Sequence, residues 1–321
     1  MIEDFAPDLV AVFGGDHIYR MDVSQMVDFH EKKDAIVSVA AIPVPVEEAS
    51  DFGVIQVDEE WRIIGFQEKP ENPITIPGDD KVALVSMGNY IFNADDLVSL
   101  LKSDDADASS KHDFGKNILP SLVPSGRLFA YNYHLNKIPG VDGVPYWRDV
   151  GGLKAYYEAN MDLRATEPLL DLYNEKWPIY NYNESLPPAK FVHNEEKVKD
   201  RIGMAVNSVV CGGCVVSGGT VKDSILFNNV RVHSFAVVEN SILLNEVSIG
   251  ENCKIKNTII DKHNELPAGT IIGYNREDDE KRYKVINLDK AKGTWLTTVP
   301  KTKKLKTKLP GLVRPDFGYD A

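Results

Sequence analysis

Between about residues 204 and 273 the sequence repeats on a six-residue beat. Val237, Leu243, Ile249 and Ile255 are spaced by six, as are Val247, Cys253 and Ile259, and Val215, Val221 and Phe227. Gly, Asn and Ser interrupt the apolar positions. Short β-branched stretches in this rhythm predict a hexapeptide parallel β-helix, where each coil buries a ring of side chains against the next. A small β-sandwich is the plainer alternative. Three coexisting registers, and glycines that stay in step as far as Gly273, favour the solenoid. Such solenoids support assembly rather than chemistry.

Upstream the periodicity is mixed. Ala35 to Ile42, Asp51 to Val57, Arg62 to Phe66 and Ala83 to Phe92 read as strands. Val23 to Lys33 and Asp95 to Lys102 carry helical apolar spacing. This alternation predicts an α/β domain over residues 1–165. A helix with Leu153, Tyr157 and Met161 on one face is expected to close it. Residues 166–203, rich in Pro, Asn and Tyr, read as an ordered connector packed between domains. The β-helix is assigned to 204–275 and a C-terminal extension to 276–321.

Composition bounds the function. A chain of 321 residues with 43% hydrophobic content can bury a large core and fits two domains. A net charge of −12 argues against binding nucleic acid over a broad surface. No run of about 18 apolar residues is present, so no membrane-spanning helix or membrane partner is expected. The acidic N-terminal residues lack a signal-peptide pattern. Three cysteines, one necessarily unpaired, fit a reducing, cytoplasmic setting.

The run Leu9-Val10-Ala11-Val12-Phe13 closes on Gly14-Gly15-Asp16-His17-Ile18-Tyr19. This reads as a buried strand delivering a carboxylate to its C-terminal edge, where open α/β sheets bind ligands. Glycines there let a ligand approach the backbone. Asp16 reads about equally as a metal ligand and as an aspartate capping a turn. Asp149 also fits the N-cap of the helix after Gly151. Glu68-Lys69-Pro70 ends another strand; alone it reads most simply as a solvated ion pair. Cys211-Gly-Gly-Cys214 has no second cysteine pair and reads as a tight solenoid turn rather than a zinc site. The lysine-rich run from Lys301 to Lys308 reads as a solvated end.

GGDHIY, PVPVEEASDFGVIQVD, FQEKPENP, SMGNYIF, HDFGKNILP, YWRDVGGLKAYYEANMDL and YNESLPPAKF resemble successive segments of bacterial glucose-1-phosphate adenylyltransferases, also called ADP-glucose pyrophosphorylases. The resemblance runs from about residue 8 to 275. It implies a Rossmann-like nucleotidyltransferase domain followed by a left-handed parallel β-helix. It further implies that ATP and glucose 1-phosphate give ADP-glucose and pyrophosphate, on the route to glycogen. Mg²⁺, a homotetramer and small anionic metabolite effectors are implied with it.

Carried over residue by residue, the resemblance assigns Asp16 and Asp149 to Mg²⁺ and Lys69 to the sugar phosphate. Glu68, Gly53 and Ser86 fall at the sugar, and Tyr90, Asp113, Phe114 and Trp147 at the pocket wall. Lys262 falls where a basic residue meets anionic effectors, although an exposed lysine is the plainer reading. His17 is expected to play a supporting role, because an ionised sugar phosphate needs no general base.

Members of this family begin with a glycine-rich nucleotide-binding loop, for which the residues before Gly14 show no counterpart. The expectation is a nucleotidyltransferase domain incomplete at its N-terminus and poorly active alone. An open edge or exposed apolar surface is expected near residues 8–15 and 35–42. Two rival readings are a non-catalytic regulatory or assembly subunit, and a transferase using another nucleoside triphosphate.

Overall fold

A computed structural model describes residues 2–76, 78–182, 184–193 and 201–301. The described residues fall into two compact units, one drawn from Met1–Gly151 with Leu172–Ile179, the other from Gly152–Asp171 with Tyr180–Ala321.

The first unit is built on strands β1 (Leu9–Phe13), β2 (His17–Tyr19), β3 (Val37–Pro45), β4 (Gly53–Val57), β5 (Ile63–Glu68), β6 (Val82–Asn93), β7 (Leu128–Asn132) and β8 (Trp147–Asp149). The main sheet runs β5-β4-β6-β3-β7. β3 and β7 are parallel, and the other pairs are antiparallel. Val37, Val39 and Ala41 enter one core cluster, whereas Ala40 and Ile42 enter another, as the two-residue strand period requires. Met26, on helix α1 (Val23–Lys32), packs in the second cluster. Leu97, on helix α2 (Ala94–Ala106), packs in the first beside Leu119 and Leu122. Each fully buried side chain of this size contributes about 1.5–3 kcal/mol.

β6 carries the feature that creates the site. β3 pairs with its whole length along one edge; β4 and β1 share the other. β4 takes Leu84 and Val85, and β1 takes Asn89 to Asn93. Between them the β3–β6 register slips, Val39 facing Tyr90 but Ala41 facing Ser86. This bulge is centred on Gly88, whose φ of 74° lies in the left-handed region. Gly14 N–H, just past β1, donates to Gly88 O at 3.2 Å.

Among the described residues β1 pairs with β6 alone and leaves Ala11 and Phe13 exposed, an open edge where one was expected. The expectation for residues 35–42 is corrected. Val37, Val39, Ala40 and Ala41 are fully buried, because β7 closes the far side of β3.

In the second unit parallel strands stack in three sheets. Val232, Val238, Leu243, Ile249, Ile255 and Ile260 share one buried cluster. The coil is a left-handed parallel β-helix, and its repeat corrects the strict six-residue beat. From Thr220 onward successive coils are offset by 17 residues, as between Ser224 and Ser241 and between Ser241 and Thr258, whereas Met204 pairs with Thr220 at an offset of 16. In the 17-residue coils the five-residue steps are those spanning Asp223, Asn240 and Asn257, each left-handed with φ of 48°, 45° and 46°. Ile259 therefore faces outward and packs in a separate cluster with Tyr157, Ile225, Ile242 and Leu296.

Three assignments of extent change as a result. Helix α3 (Leu153–Asp162), expected to close the first domain, packs Tyr157 onto the outer solenoid stripe and bonds its hydroxyl to Asn240 O at 2.8 Å. Lys190–Val192, placed in the connector, already pairs with the coil at Val215–Ser217. Thr294–Val299, placed in the extension, pairs in parallel with Thr258–Ile260. The connector's tyrosines do not pack as expected. Tyr173, Tyr180 and Tyr182 are exposed, and the buried anchor is Asn174, whose amide donates to Pro139 O. The lysines from Lys303 onward lie outside the described residues.

The solenoid's hydroxyls form a ladder. Ser241 Oγ accepts from its own column's next residue, Thr258 N–H, at 3.2 Å, and donates to Glu239 O at 2.7 Å. Ser224 repeats the arrangement one coil earlier. Cys211 and Cys214 flank a corner at Gly213 (φ 73°) and are free thiols, as is Cys253. Burial pushes the Cys214 thiol up to about 11.

Candidate active site

Asp16 precedes β2 and Asp149 ends β8, and these two strands pair antiparallel with His17 opposite Asp149. Val150 N–H donates to Asp16 O at 2.9 Å, which locks the crossing. Donor atoms of Asp16, His17 and Asp149 all lie within 4.8 Å of one another. Among the described residues this is the one group of three His, Cys, Asp or Glu side chains that converges so. His17 Nε2 stands 3.3 Å from Asp16 Oδ1 and 3.7 Å from Asp149 Oδ2. The Asp149 side chain does not cap the following helix. Its Oδ1 accepts from Gly151 N–H at 2.7 Å, and the cap position, Gly152, has no side-chain bond. A β-carbon on Gly151 would sit 3.1 Å from Asp16 Oδ2 and 3.3 Å from Asp149 Oδ1, so glycine leaves this flank open.

Beside this trio, at the Gly88 bulge, lies a cavity of about 430 Å³. Gly14 and Gly88 form part of its wall, and a β-carbon on either would crowd the His17 ring. Glu68, Tyr90, His112, Asp113, Phe114 and Gly115 supply the rest of its lining beyond Val12 and Phe13. Asp113 caps a π-helical turn over Phe114–Ile118 by accepting from Lys116 N–H at 2.9 Å. This turn presents Phe114 to Tyr90, the rings stacked 5.7 Å apart and 26° from coplanar. Burial raises the Tyr90 phenol. Burial also raises the Glu68 carboxyl, with the Asp113 charge acting in the same direction.

The remaining expected residues surround these two centres. Gly53 pairs with Glu68 across the β4–β5 ladder, and a side chain there would collide with Phe66. Ser86 Oγ accepts from Gly88 N–H at 3.2 Å, inside the bulge. Lys69 is exposed and left-handed (φ 47°), its N–H bonded to Phe52 O. Trp147 packs edge-on to both His17 and Phe52. Lys262 belongs to the solenoid unit, exposed, its N–H bonded to Asp261 Oδ1. Gly88, Gly115 and His112 line the cavity without having been singled out from the sequence. Their signals were a glycine inside a strand pattern, a histidine next to the candidate carboxylate Asp113, and a glycine two residues after it.

Comparison with known proteins gives the lineage. Residues 1–166 match the nucleotidyl transferase family model, and residues 187–289 match one described as GlmU-like, C-terminal hexapeptide. Glucose-1-phosphate adenylyltransferase from Thermus thermophilus is 52% identical over 284 residues, covering 88% of this chain and 68% of that protein. The chain belongs to the glucose-1-phosphate adenylyltransferase family. The Anaeromyxobacter sp. member is 47% identical over 288 residues, 89% of this chain and 70% of its own length. A Deinococcus radiodurans member is 46% identical over 284 residues, with 88% and 68% coverage. The nucleotidyltransferase unit of this family member thus holds the Asp16–His17–Asp149 trio and the cavity together, and its hexapeptide unit holds Lys262. Among the described residues no helix is long and apolar enough to cross a membrane.

Proposed function

We propose that this chain transfers the adenylyl group of ATP to glucose 1-phosphate, giving ADP-glucose and pyrophosphate. The observation that carries this reading is the convergence of Asp16 and Asp149, from distant parts of the sequence, beside a cavity holding Glu68 and Asp113. In the reaction a phosphate oxygen of the sugar attacks the α-phosphorus of ATP. A new P–O bond forms as the bond to the bridging oxygen breaks, and pyrophosphate leaves with its charge. Such transfers depend on positioning and charge neutralisation more than on covalent help from the protein.

Each residue then has a task. Lys69, exposed beside the cavity carboxylate, offers a point charge to the sugar phosphate. Glu68 and Asp113 accept from sugar hydroxyls, and Gly53 and Gly115 leave space for them. Tyr90 and Phe114 give the sugar ring an apolar wall, and Trp147 supports the floor. Ser86 fixes the bulge. Asp16 and Asp149 offer the hard oxygen donors that suit Mg²⁺, which would supply charge neutralisation at the phosphates when bound.

The same reading extends to a cytoplasmic homotetramer in glycogen synthesis, assembled through the solenoid and responsive to anionic metabolites near Lys262. Calorimetry of the purified chain with glucose 1-phosphate, alongside an ADP-glucose assay, tests it. Binding that is lost in Lys69→Ala and Glu68→Ala, and kept in Lys262→Ala, is expected. Equal binding of glucose 6-phosphate, or indifference to both substitutions, would count against the site.

A further inference from the structure

We infer that His17 is a positioning residue that fixes the aim of the Asp16 carboxylate, and that Gly14 and Gly88 exist as glycines to hold its ring in place. The inference rests on the metal reading of Asp16 and Asp149.

The two aspartates are not held alike. Asp149 is anchored by its own turn, through Gly151 N–H at 2.7 Å. Asp16 has a side chain 62% exposed, and its close partner among the described residues is His17, 3.3 Å from Oδ1. Freed of that contact, a carboxylate on a short exposed side chain samples several rotamers. With it, Oδ1 rests against the imidazole and Oδ2 faces the open flank at Gly151, as Asp149 Oδ1 does. The contact therefore selects which oxygens converge.

The ring itself is held by shape. Its side chain is 12% exposed and packs edge-on against Trp147 at 5.7 Å. A β-carbon on Gly14 would stand 2.9 Å from its Cε1, and one on Gly88 would stand 2.8 Å away. Both lie inside contact distance, so any side chain at either position displaces the ring. Among the described residues Nδ1 is buried without a hydrogen-bond partner, whereas Nε2 faces both carboxylates. The tautomer with its hydrogen on Nε2 fits this asymmetry, placing that hydrogen on the side of the two carboxylates and leaving only a lone pair at Nδ1. Residues that orient a ligating carboxylate in this way change metal affinity by about 10–100-fold when removed.

The asymmetry provides the test. Gln carries an amide N–H close to the position of His Nε2, and Asn carries one close to Nδ1. Mn²⁺ binding to the whole chain, measured by electron paramagnetic resonance of the free ion, is compared across His17→Gln, His17→Asn, Gly14→Ala and Asp16→Asn. Thermal unfolding is recorded for each. His17→Asn and Gly14→Ala are expected to weaken Mn²⁺ about tenfold or more, with His17→Gln close to the parent and all variants folded. His17→Asn binding Mn²⁺ like the parent, while Asp16→Asn does not, overturns the positioning role alone. Equal loss in Gln and Asn variants, accompanied by lowered unfolding temperatures, also overturns it, because general packing then explains the effect. Parental affinity in Asp16→Asn, or no Mn²⁺ binding by the parent, overturns the metal reading and the inference with it.

Discussion

Glu68 Oε2 lies 2.5 Å from the point where a β-carbon on Gly115 would stand. The two residues come from the end of β5 and from the π-helical turn, and they face the same cavity. Gly115→Ala is therefore expected to push the Glu68 carboxylate aside and weaken glucose 1-phosphate binding by about tenfold, the size of one lost charge-assisted hydrogen bond. Gly115 does not require a left-handed backbone, so the fold is expected to persist. Calorimetric titration with circular dichroism separates the two effects.

Glu68 also sets a pH dependence. Burial, then the Asp113 charge, raises its carboxyl above the ordinary 4.5. A group raised on folding binds its proton more tightly in the native state. Its stabilising effect is complete below 4.5 and is lost as pH rises through the higher native value. Glu68→Gln removes this loss. Its unfolding temperature is expected to exceed the parent's at about pH 7 and to converge with it in acid, as followed by calorimetry across pH.

The hydroxyl ladder makes a prediction for the solenoid. Ser241 is fully buried and serves both Thr258 N–H and Glu239 O. Ser241→Ala leaves the buried Thr258 N–H without its acceptor, while Glu239 O keeps Asn257 N–H at 3.1 Å, and is expected to cost about 1–3 kcal/mol. Urea unfolding with an unchanged slope is the appropriate measurement.

Asp279 is likewise fully buried. Its Oδ2 accepts from Gly273 N–H at 2.8 Å, Thr297 Oγ1 at 2.8 Å and Trp295 Nε1 at 3.2 Å, and Arg282 reaches Oδ1 at 3.3 Å. Asp279→Ala strands three donors, while Arg282 keeps Asp278 Oδ2 at 2.8 Å and Ile271 O at 3.0 Å, and a loss of about 3 kcal/mol is expected. Trp295 fluorescence during denaturation reports it directly.

Much of this was legible in the sequence because packing follows period. Val37 to Ala41 alternates between two cores, and α1 and α2 obey helical spacing, so those elements stand within a few residues of where the pattern puts them. The short coil step was hidden. Val237 lies six before Leu243 yet outside the buried cluster, because the corner at Asn240 shortens the turn by one residue. Tyr157 was ambiguous for a different reason. An amphipathic face states that a helix must be covered, not by which partner, and the outward Ile225, Ile242 and Ile259 decide it. In the site, Asp16 and Asp149 were paired only by family likeness, since strand pairing between distant segments leaves no local mark. Gly88 was visible as a glycine within a strand, but its register slip becomes apparent only when β3 is alongside.

The coil offset has a consequence for how such a chain changes length. Because the same left-handed corner recurs at Asp223, Asn240 and Asn257, neighbouring coils are interchangeable in phase. Gain or loss of one whole 17-residue coil leaves every ring of side chains in line, whereas a change of one or two residues inside a strand rotates all later rings out of step. Lineages carrying this solenoid are thus constrained to vary in discrete steps, with smaller insertions confined to its corners.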